Sequence, residues 1–293
     1  MSFHLLLSAR LAALLACATV LHSPAFAQNS DHLWQKEYRV AGKPSLTLAT
    51  GDSNVEIRSC GECKTVRIRV ESSSNLNRFH IEESQNQDNI LFSFKDKIRL
   101  SFSLKFPQTP KITIETPGQL NLDAHISDGK LSAGQLDGTL RIQSSDGGLV
   151  LDDLHGDLRL SSSDGDISLR NSSGALEARS SDGSMKVDGQ FSSVQLHTSD
   201  GHLDLTLNAG SLITSASRIE SSDGKVSIRL PQTLSADLDV STRDGKLDCD
   251  LPLTMDNYST QGYGAHHLHG HLNAGGAPIS IHTTDGSVRI TSL

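Results

Sequence analysis

The sequence predicts an all-β chain folded as a β-solenoid, of the parallel β-helix or β-roll type, with about ten coils, about 18–23 residues per coil and two main strands per coil. Three observations predict it. Asp-Gly pairs stand at Asp128-Gly129, Asp146-Gly147, Asp164-Gly165, Asp182-Gly183 and Asp200-Gly201, each 18 residues after the last. A second glycine falls nine residues after the pair, at Gly138, Gly156, Gly174 and Gly210, with Ser192 in the one exceptional place. Each glycine is followed by apolar residues two and four positions on, as in Leu149 and Leu151 after Gly147, and Leu158 and Leu160 after Gly156.

Alternation with a period of two is the pattern of a strand with one buried face, so each half-coil carries one strand. Ile167 and Leu169, Met185 and Val187, Leu203 and Leu205, Val226 and Ile228, and Val288 and Ile290 are the inward positions; Asp166, Ser168 and Arg170 are among the residues that face water. Later pairs, Asp223-Gly224, Asp244-Gly245 and Asp285-Gly286, follow after steps of 23, 21 and 41, the last about two coils long. Glycine suits the turns by accepting a positive φ, and the aspartate by bonding nearby backbone donors. Asp-Gly also marks tight antiparallel hairpins. Nine-residue half-steps nevertheless stack most simply when every unit lies over the previous one, roughly 4.8 Å away.

A single solenoid domain is expected over residues 40–293. Within it, 40–117 form irregular N-terminal coils and a cap, 118–230 the regular coils and 231–293 the C-terminal coils. The N-terminal part reads as strands over 45–49, 54–57, 65–70, 79–82, 90–94, 98–105 and 111–115. Trp34, Tyr38, Phe79, Phe92, Phe94, Phe102 and Phe106 gather there and suit a cap over the open end of the stack. The stretch LKFPQT at 104–109 resembles IRLPQT at 228–233, which predicts two longer coils with proline where no ladder donor is needed.

Ahead of the domain, residues 1–27 have Arg10, an apolar run over 11–21 and a small-x-small end at Ala25-Phe26-Ala27. These are the parts of a secretory signal peptide cut before Gln28, followed by a linker over 28–39. The apolar run is far short of the ~20 residues that span a bilayer, so no transmembrane segment is expected. The periplasm or the cell surface is the expected destination; a lipoprotein anchored at Cys17 leaves the site at Ala27 without a purpose. Without Arg10 the chain carries 25 basic and 34 acidic residues, a formal charge of −9, which argues against a nucleic-acid partner. Cys60 and Cys63 lie between two alternating strands, where a disulfide would close the turn, and Cys249 is left over.

The Ser-Ser-Asp-Gly-x-Leu-x-Leu coils, the strand-Pro-strand unit at 104–115 and the closing run HLNAGGAPISIHTTDGSVRI resemble the bacterial "putative adhesin" family of exported solenoids, whose domain is of unknown function. Gly270, just before the closing run, and Asn273, Gly275, Gly276, Thr283, Asp285 and Gly286 within it hold the positions the family favours. The resemblance covers roughly residues 40–293. It implies a β-solenoid and an envelope location, and brings no catalytic residues with it.

A stacked row of Asp128, Asp146, Asp164, Asp182, Asp200 and Asp223 would set carboxylates about 5 or 10 Å apart, a range that overlaps glycosidase acid pairs. A catalytic site breaks its repeat, however, and these acids obey theirs. Calcium β-rolls place aspartate after GGxG, whereas here it precedes a single glycine. The run GAHHLHGHL at 264–272 departs most from the background. On a strand His267, His269 and His271 share one face, about 7 Å apart at Cα, with Leu268 and Leu272 opposite. Imidazoles so placed suit zinc, nickel or copper, although no cysteine or acid stands beside them in sequence, and outward positions filled by histidine are the plainer reading. There is no GxSxG elbow and no glycine-rich phosphate loop. From residue 107 on, Phe191, Tyr258 and Tyr263 are the only aromatics, which makes the shaft a poor sugar binder.

The expected protein is therefore a non-enzymatic exported structural or interaction module of the envelope or surface, with no catalytic residue and no cofactor. Its partner would be a protein or a cell-surface component, met through Tyr258, Tyr263, His266, His267, His269 and His271, where the repeat is broken. The alternatives are a polysaccharide-acting parallel β-helix enzyme and a divalent-metal-binding solenoid.

Overall fold

Apolar residues two apart, punctuated by glycine, make the chain wind so that equivalent residues stack. In the computed structural model, which describes residues 30–97, 108–261 and 265–293, Leu149 pairs in parallel with Leu131 on one side and Ile167 on the other, an offset of 18 residues each way. That register rules out a meander of Asp-Gly hairpins. The expected leader 1–27 with Cys17, the strand over 98–105, and Phe102, Phe106 and Tyr263 lie outside the described residues.

The N-terminal strands are β1 (Leu33–Arg39), β2 (Ser45–Thr50), β3 (Asn54–Ser59), β4 (Thr65–Glu71), β5 (Phe79–Asn86), β6 (Asn89–Asp96) and β7 (Lys111–Thr116). The regular coils comprise β8 (Asn121–Ile126), β9 (Leu131–Ser144), β10 (Leu149–Ser162), β11 (Ile167–Ser180), β12 (Met185–Thr198), β13 (Leu203–Leu207), β14 (Ser217–Ser221) and β15 (Val226–Leu230). The C-terminal strands are β16 (Ala236–Thr242), β17 (Leu247–Cys249), β18 (Leu253–Gln261), β19 (Ala265–Leu272), β20 (Pro278–Thr283) and β21 (Val288–Ser292). Residues 33–39, expected as part of a linker, form β1 because Trp34 and Tyr38 find apolar cover: Trp34 lies 5.3 Å from the Phe92 ring and Tyr38 is buried.

The two strands expected per coil are continuous in β9 to β12, each of which runs 14 residues and turns a corner midway. In β10 the corner is made by Asp153 and Gly156, with φ of 58° and 111°. Every inward position named from the sequence is buried, from Leu149 and Leu151 to Val288 and Ile290, in one continuous core. In the coil where Ser192 replaces the corner glycine, the pairing of β11 with β12 slips in register and Phe191 turns into the core.

The Asp-Gly glycines are required for a reason other than φ. Of the eight, only Gly129 is left-handed, at 97°. The others lie so close to the coil below that no side chain fits. A Cβ on Gly147 would overlap the carbonyl of Gly129, one on Gly165 that of Gly147, and so on through Gly183, Gly201 and Gly224. Beside this glycine column runs a column of hydrogen bonds. The N–H of Asp146 donates to the Ser127 carbonyl at 3.1 Å, that of Asp164 to Ser145 at 3.0 Å and that of Asp182 to Ser163 at 2.9 Å. A buried Ser or Thr three residues before the glycine closes the turn from inside, as where the Ser162 Oγ accepts from the Gly165 N–H at 3.0 Å.

The columns also reveal the order of the coils, which departs from the expectation that each unit lies on its predecessor. Above Gly224 comes Gly286, and only then Gly245. Accordingly β20 lies between β14 and β16, and β21 between β15 and β17, all parallel. The chain leaves the stack after β15, builds the last coil first, then returns to fill the gap beneath it. The N-terminal end mirrors this, with β2 between β6 and β8, and β3 between β7 and β9. Each main face thus has ten parallel layers among the described strands, running from β6 and β7 to β16 and β17.

Antiparallel strands close both ends. At the N-terminal end β5 covers β6, while β4 and β1 continue from β7. At the other end β19 runs antiparallel to β16, and β18 antiparallel to β19. Cys60 and Cys63 form a disulfide across the turn between β3 and β4, with Cα atoms 5.8 Å apart. Cys249 has no disulfide partner among the described residues; it lies in β17, partly buried, and burial raises the pKa of its thiol.

Replacing Gly183 by alanine should lower stability by at least about 2 kcal/mol, because the Gly165 backbone must move to admit the methyl group. Gly51, with open space around its Cβ direction, should tolerate the same change to within about 0.5 kcal/mol. Urea unfolding of the two variants beside the parent measures both; equal midpoints would show that the turn glycines carry no packing constraint.

Candidate functional site

On β19 the residues alternate as the sequence predicts. Leu268 and Leu272 are buried against the core, while His267, His269 and His271 face outward and are partly exposed. His266 lies toward the inner side at the start of the strand, partly buried, with an Nδ1 that has no hydrogen-bond partner among the described residues. Tyr258 is paired through its backbone with Leu268. The structure therefore brings three of the six proposed binding residues onto one outward surface.

It also brings acids to them that are distant in sequence. Strand β16 pairs Asp237 with His271 and Asp239 with His269. His271 Nδ1 lies 2.7 Å from Asp237 Oδ1, His267 Nε2 3.1 Å from Asp239 Oδ1, and His269 Nδ1 3.9 Å from Asp239 Oδ2. From the other side β18 supplies Asp256. The pairing of β18 with β19 slips between Met255 and Asn257, and Asp256 is the extra residue of that bulge. A bulge re-aims the side chain it carries. Here the carboxylate reaches both imidazoles, with Oδ2 at 2.7 Å from His271 Nε2 and 3.6 Å from His269 Nε2.

Gly270 permits this approach. A Cβ there would press on the Thr254 carbonyl at 2.9 Å and on Met255 Cα at 3.4 Å, holding β18 away. Asp237 is fixed from two directions, since its Oδ1 also accepts from the Gly276 N–H at 3.0 Å. The turn that carries Gly276 is the re-entry turn from β19 to β20. In it Asn273 has a φ of 55° and Gly275 one of 72°, while Asn273 Nδ2 donates to the Gln232 and Leu234 carbonyls at 2.9 and 2.6 Å. The glycines and asparagine of the closing run thus serve the chain reversal and hold an acid of the site.

The charges respond to one another. The hydrogen bond from His271, and then that from Gly276, hold the Asp237 carboxyl below its ordinary pKa. The same bond to Asp237, followed by the charge of Asp256, raises the pKa of His271.

Elsewhere the polar groups follow the ladder. The aspartates of the repeat turns place their backbone N–H groups in the column of hydrogen bonds, and Asp146, Asp164, Asp182 and Asp200 expose their side chains. Ser173, His155 and Asp153 touch in series at the corner, with His155 Nδ1 2.8 Å from Ser173 Oγ and Nε2 2.9 Å from Asp153 Oδ1. Ser173 is the residue stacked on His155 in the next coil. Asn171 with Asp152, and Asn208 with Asp188, make comparable contacts between adjacent coils, so this series belongs to the corner ladder. No helix of the described residues is long and apolar enough to cross a membrane.

Ten parallel layers, an inverted order at either end and antiparallel caps define the class: a capped β-solenoid with one irregular, histidine-rich end. The chain belongs to the Toastrack DUF4097 family, whose model matches residues 44–291. No curated protein matches it. Among solved structures it is similar to a "putative adhesin" from Parabacteroides merdae, at 13% identity over 89% of this chain and 96% of that one, with a TM-score of 0.47. It is also similar to a "putative adhesin" from Bacteroides fragilis, at 13% over 90% and 98%, with a TM-score of 0.37. A third is a "putative lipid binding protein" from Parabacteroides distasonis, at 12% over 89% and 97%, with a TM-score of 0.37. At these values no ligand or partner is carried over.

The His271 pKa should fall when Asp237 is replaced by asparagine, since the largest contribution raising it is that hydrogen bond. Proton NMR titration of the imidazole in metal-free buffer reads the change. In the parent the charged imidazole persists to higher pH than an isolated histidine, so any stabilisation it gives the cap is present below the unfolded-state pKa and lost as pH rises through the raised one. An unchanged titration in the variant would dissociate Asp237 from His271.

Proposed function

We propose that this protein is a non-enzymatic, exported interaction module of the cell envelope or surface, and that it meets its partner through the outer surface of the C-terminal cap formed by β16, β19 and β18. The observation that carries the reading is the gathering of His267, His269 and His271 with Asp237, Asp239 and Asp256 where the repeat ends. Along the shaft, several outward arginines pair with acids across short distances, as in Arg179 with Glu177 at 2.8 Å and Arg218 with Glu220 at 2.6 Å. Such exposed pairs supply little binding energy. The cap differs in gathering three imidazoles on one outward strand face beside three acids, and imidazoles donate or accept according to protonation and suit polar recognition.

Export is supported by Arg10, the apolar run over 11–21 and Ala25-Phe26-Ala27. A non-enzymatic role is supported by the regular setting of the repeat acids and by the direction in which carboxyls are perturbed: Glu56, Glu71 and Asp237 are all shifted down by hydrogen-bonded partners, whereas a general acid needs a raised value.

Mature protein should co-sediment with cell-envelope fragments from its own host, and replacing Tyr258, Tyr263, His266, His267, His269 and His271 together by alanine should weaken this by about tenfold or more. Sedimentation that survives all six replacements would move the binding surface elsewhere, and absence of sedimentation by the parent would remove the envelope-binding role.

A further inference from the structure

His269 and His271 stand two apart on β19, on its outer side, with ring centroids 5.9 Å apart and ring planes at 72°. Each directs Nδ1 toward an acid of β16 and Nε2 toward the bulged Asp256 of β18. One ring nitrogen of each histidine and one carboxylate oxygen of Asp256 all lie within 4.8 Å of one another. We propose that Asp256, His269 and His271 form a site for a divalent transition metal, with zinc as the best-matched ion, and that Asp237 is the outer carboxylate that orients His271.

The distances suit such a centre. Bonds of about 2.0–2.2 Å to nitrogen and carboxylate oxygen set tetrahedral donors roughly 3.4 Å apart. His269 Nε2 and Asp256 Oδ2 are already 3.6 Å apart, and the 2.7 Å between His271 Nε2 and Asp256 Oδ2 is the span of a shared proton, which opens when the metal takes the proton's place. Two imidazoles and one carboxylate favour zinc and its first-row neighbours over calcium or magnesium, which prefer all-oxygen shells.

The outer shell is built as such sites require. A metal-bound histidine donates its second ring nitrogen to a carboxylate, which sets the tautomer and the ring direction. His271 has Asp237 at 2.7 Å in that role, and Asp237 is itself anchored by the Gly276 N–H. The bulge between Met255 and Asn257 directs Asp256 to the point that the two histidines face. His267, whose Nε2 contacts Asp239 at 3.1 Å, stays outside the set. The ligands thus differ from the row of three histidines that their spacing on β19 suggests. Three protein ligands leave a fourth position for water or for a group on another molecule. The site lies on the proposed interaction surface but needs no partner to bind its ion.

Calorimetric titration of chelator-treated mature protein with zinc should saturate at one ion per chain, with a dissociation constant of about 1 μM or tighter. Asp256→Asn, which preserves the shape of the side chain, and His271→Ala should each weaken it by about a hundredfold, Asp237→Asn by about tenfold, and His267→Ala by less than about twofold. Cobalt in place of zinc should give the intense visible bands of a tetrahedral centre in the parent and lose them in Asp256→Asn. Absence of heat up to about 100 μM zinc, or a titration left unchanged by both Asp256→Asn and His271→Ala, would overturn the site. Because the titration uses no envelope material, its failure leaves the interaction reading standing, and a failed sedimentation leaves the metal site standing.

Discussion

The whole stack depends on how closely successive backbones approach at the Asp-Gly turn. A methyl group on any of seven turn glycines, from Gly147 to Gly245, would strike the carbonyl of the glycine beneath it. The residue must therefore recur in every layer. Once the glycines are in column, the aspartate N–H groups reach the carbonyls of the coil below and the apolar residues two and four positions on fall above one another. The 18-residue repeat is the sequence record of this packing condition. It is enforced by excluded volume more than by backbone conformation, as only one of the eight turn glycines has a left-handed φ.

A column of this kind constrains neighbours in space and is indifferent to chain order. Gly286 fits on Gly224 as well as Gly201 fits beneath it, and Gly245 fits on Gly286. The last two coils exchange places without breaking either column, provided the chain can reverse, and Asn273, Gly275 and Gly276 make that reversal. Insertion of late strands between earlier ones has a mechanical consequence. The terminal coil is clasped by β20 on one side and by β19 on the other, so the end of the stack is tied into the sheet by strands on both of its sides. The N-terminal end is held in a comparable way, by β2 and β3 set within the stack.

At the caps the packing condition lapses, and outward positions there acquire other chemistry. Strand β19 keeps the inward leucines that the core needs and is otherwise free to carry histidine. Strand β18 lies outside it and is not bound to the 18-residue register, so it can include a bulge. Gly270 belongs to both constraints: it faces the inner side of β19, and its missing side chain lets β18 come close enough for Asp256 to reach His269 and His271. Asn273, Gly275 and Gly276 are thus structural in origin, yet through Gly276 and Asp237 they touch the cluster of histidines and acids on the C-terminal cap.

What the sequence by itself determined were the features set by short-range periodicity. The coil, its two faces, the inward residues from Leu149 to Ile290, and the outward histidines of β19 all follow from alternation over four to eight neighbouring residues, which a strand obeys wherever it is placed. Tertiary structure alone decided three others. The order of the last two coils was hidden because every Asp-Gly unit is equivalent to the next, so similarity cannot say which lies on which. Strand β1 was hidden because polar residues dominate it, and its place is set by Phe92 and by β4. The acids of the site were hidden because Asp237 and Asp256 stand far from His271 in the chain and meet it only through antiparallel pairing and one bulge. Local pattern decides which way a side chain points; only the pairing of strands decides what it meets there.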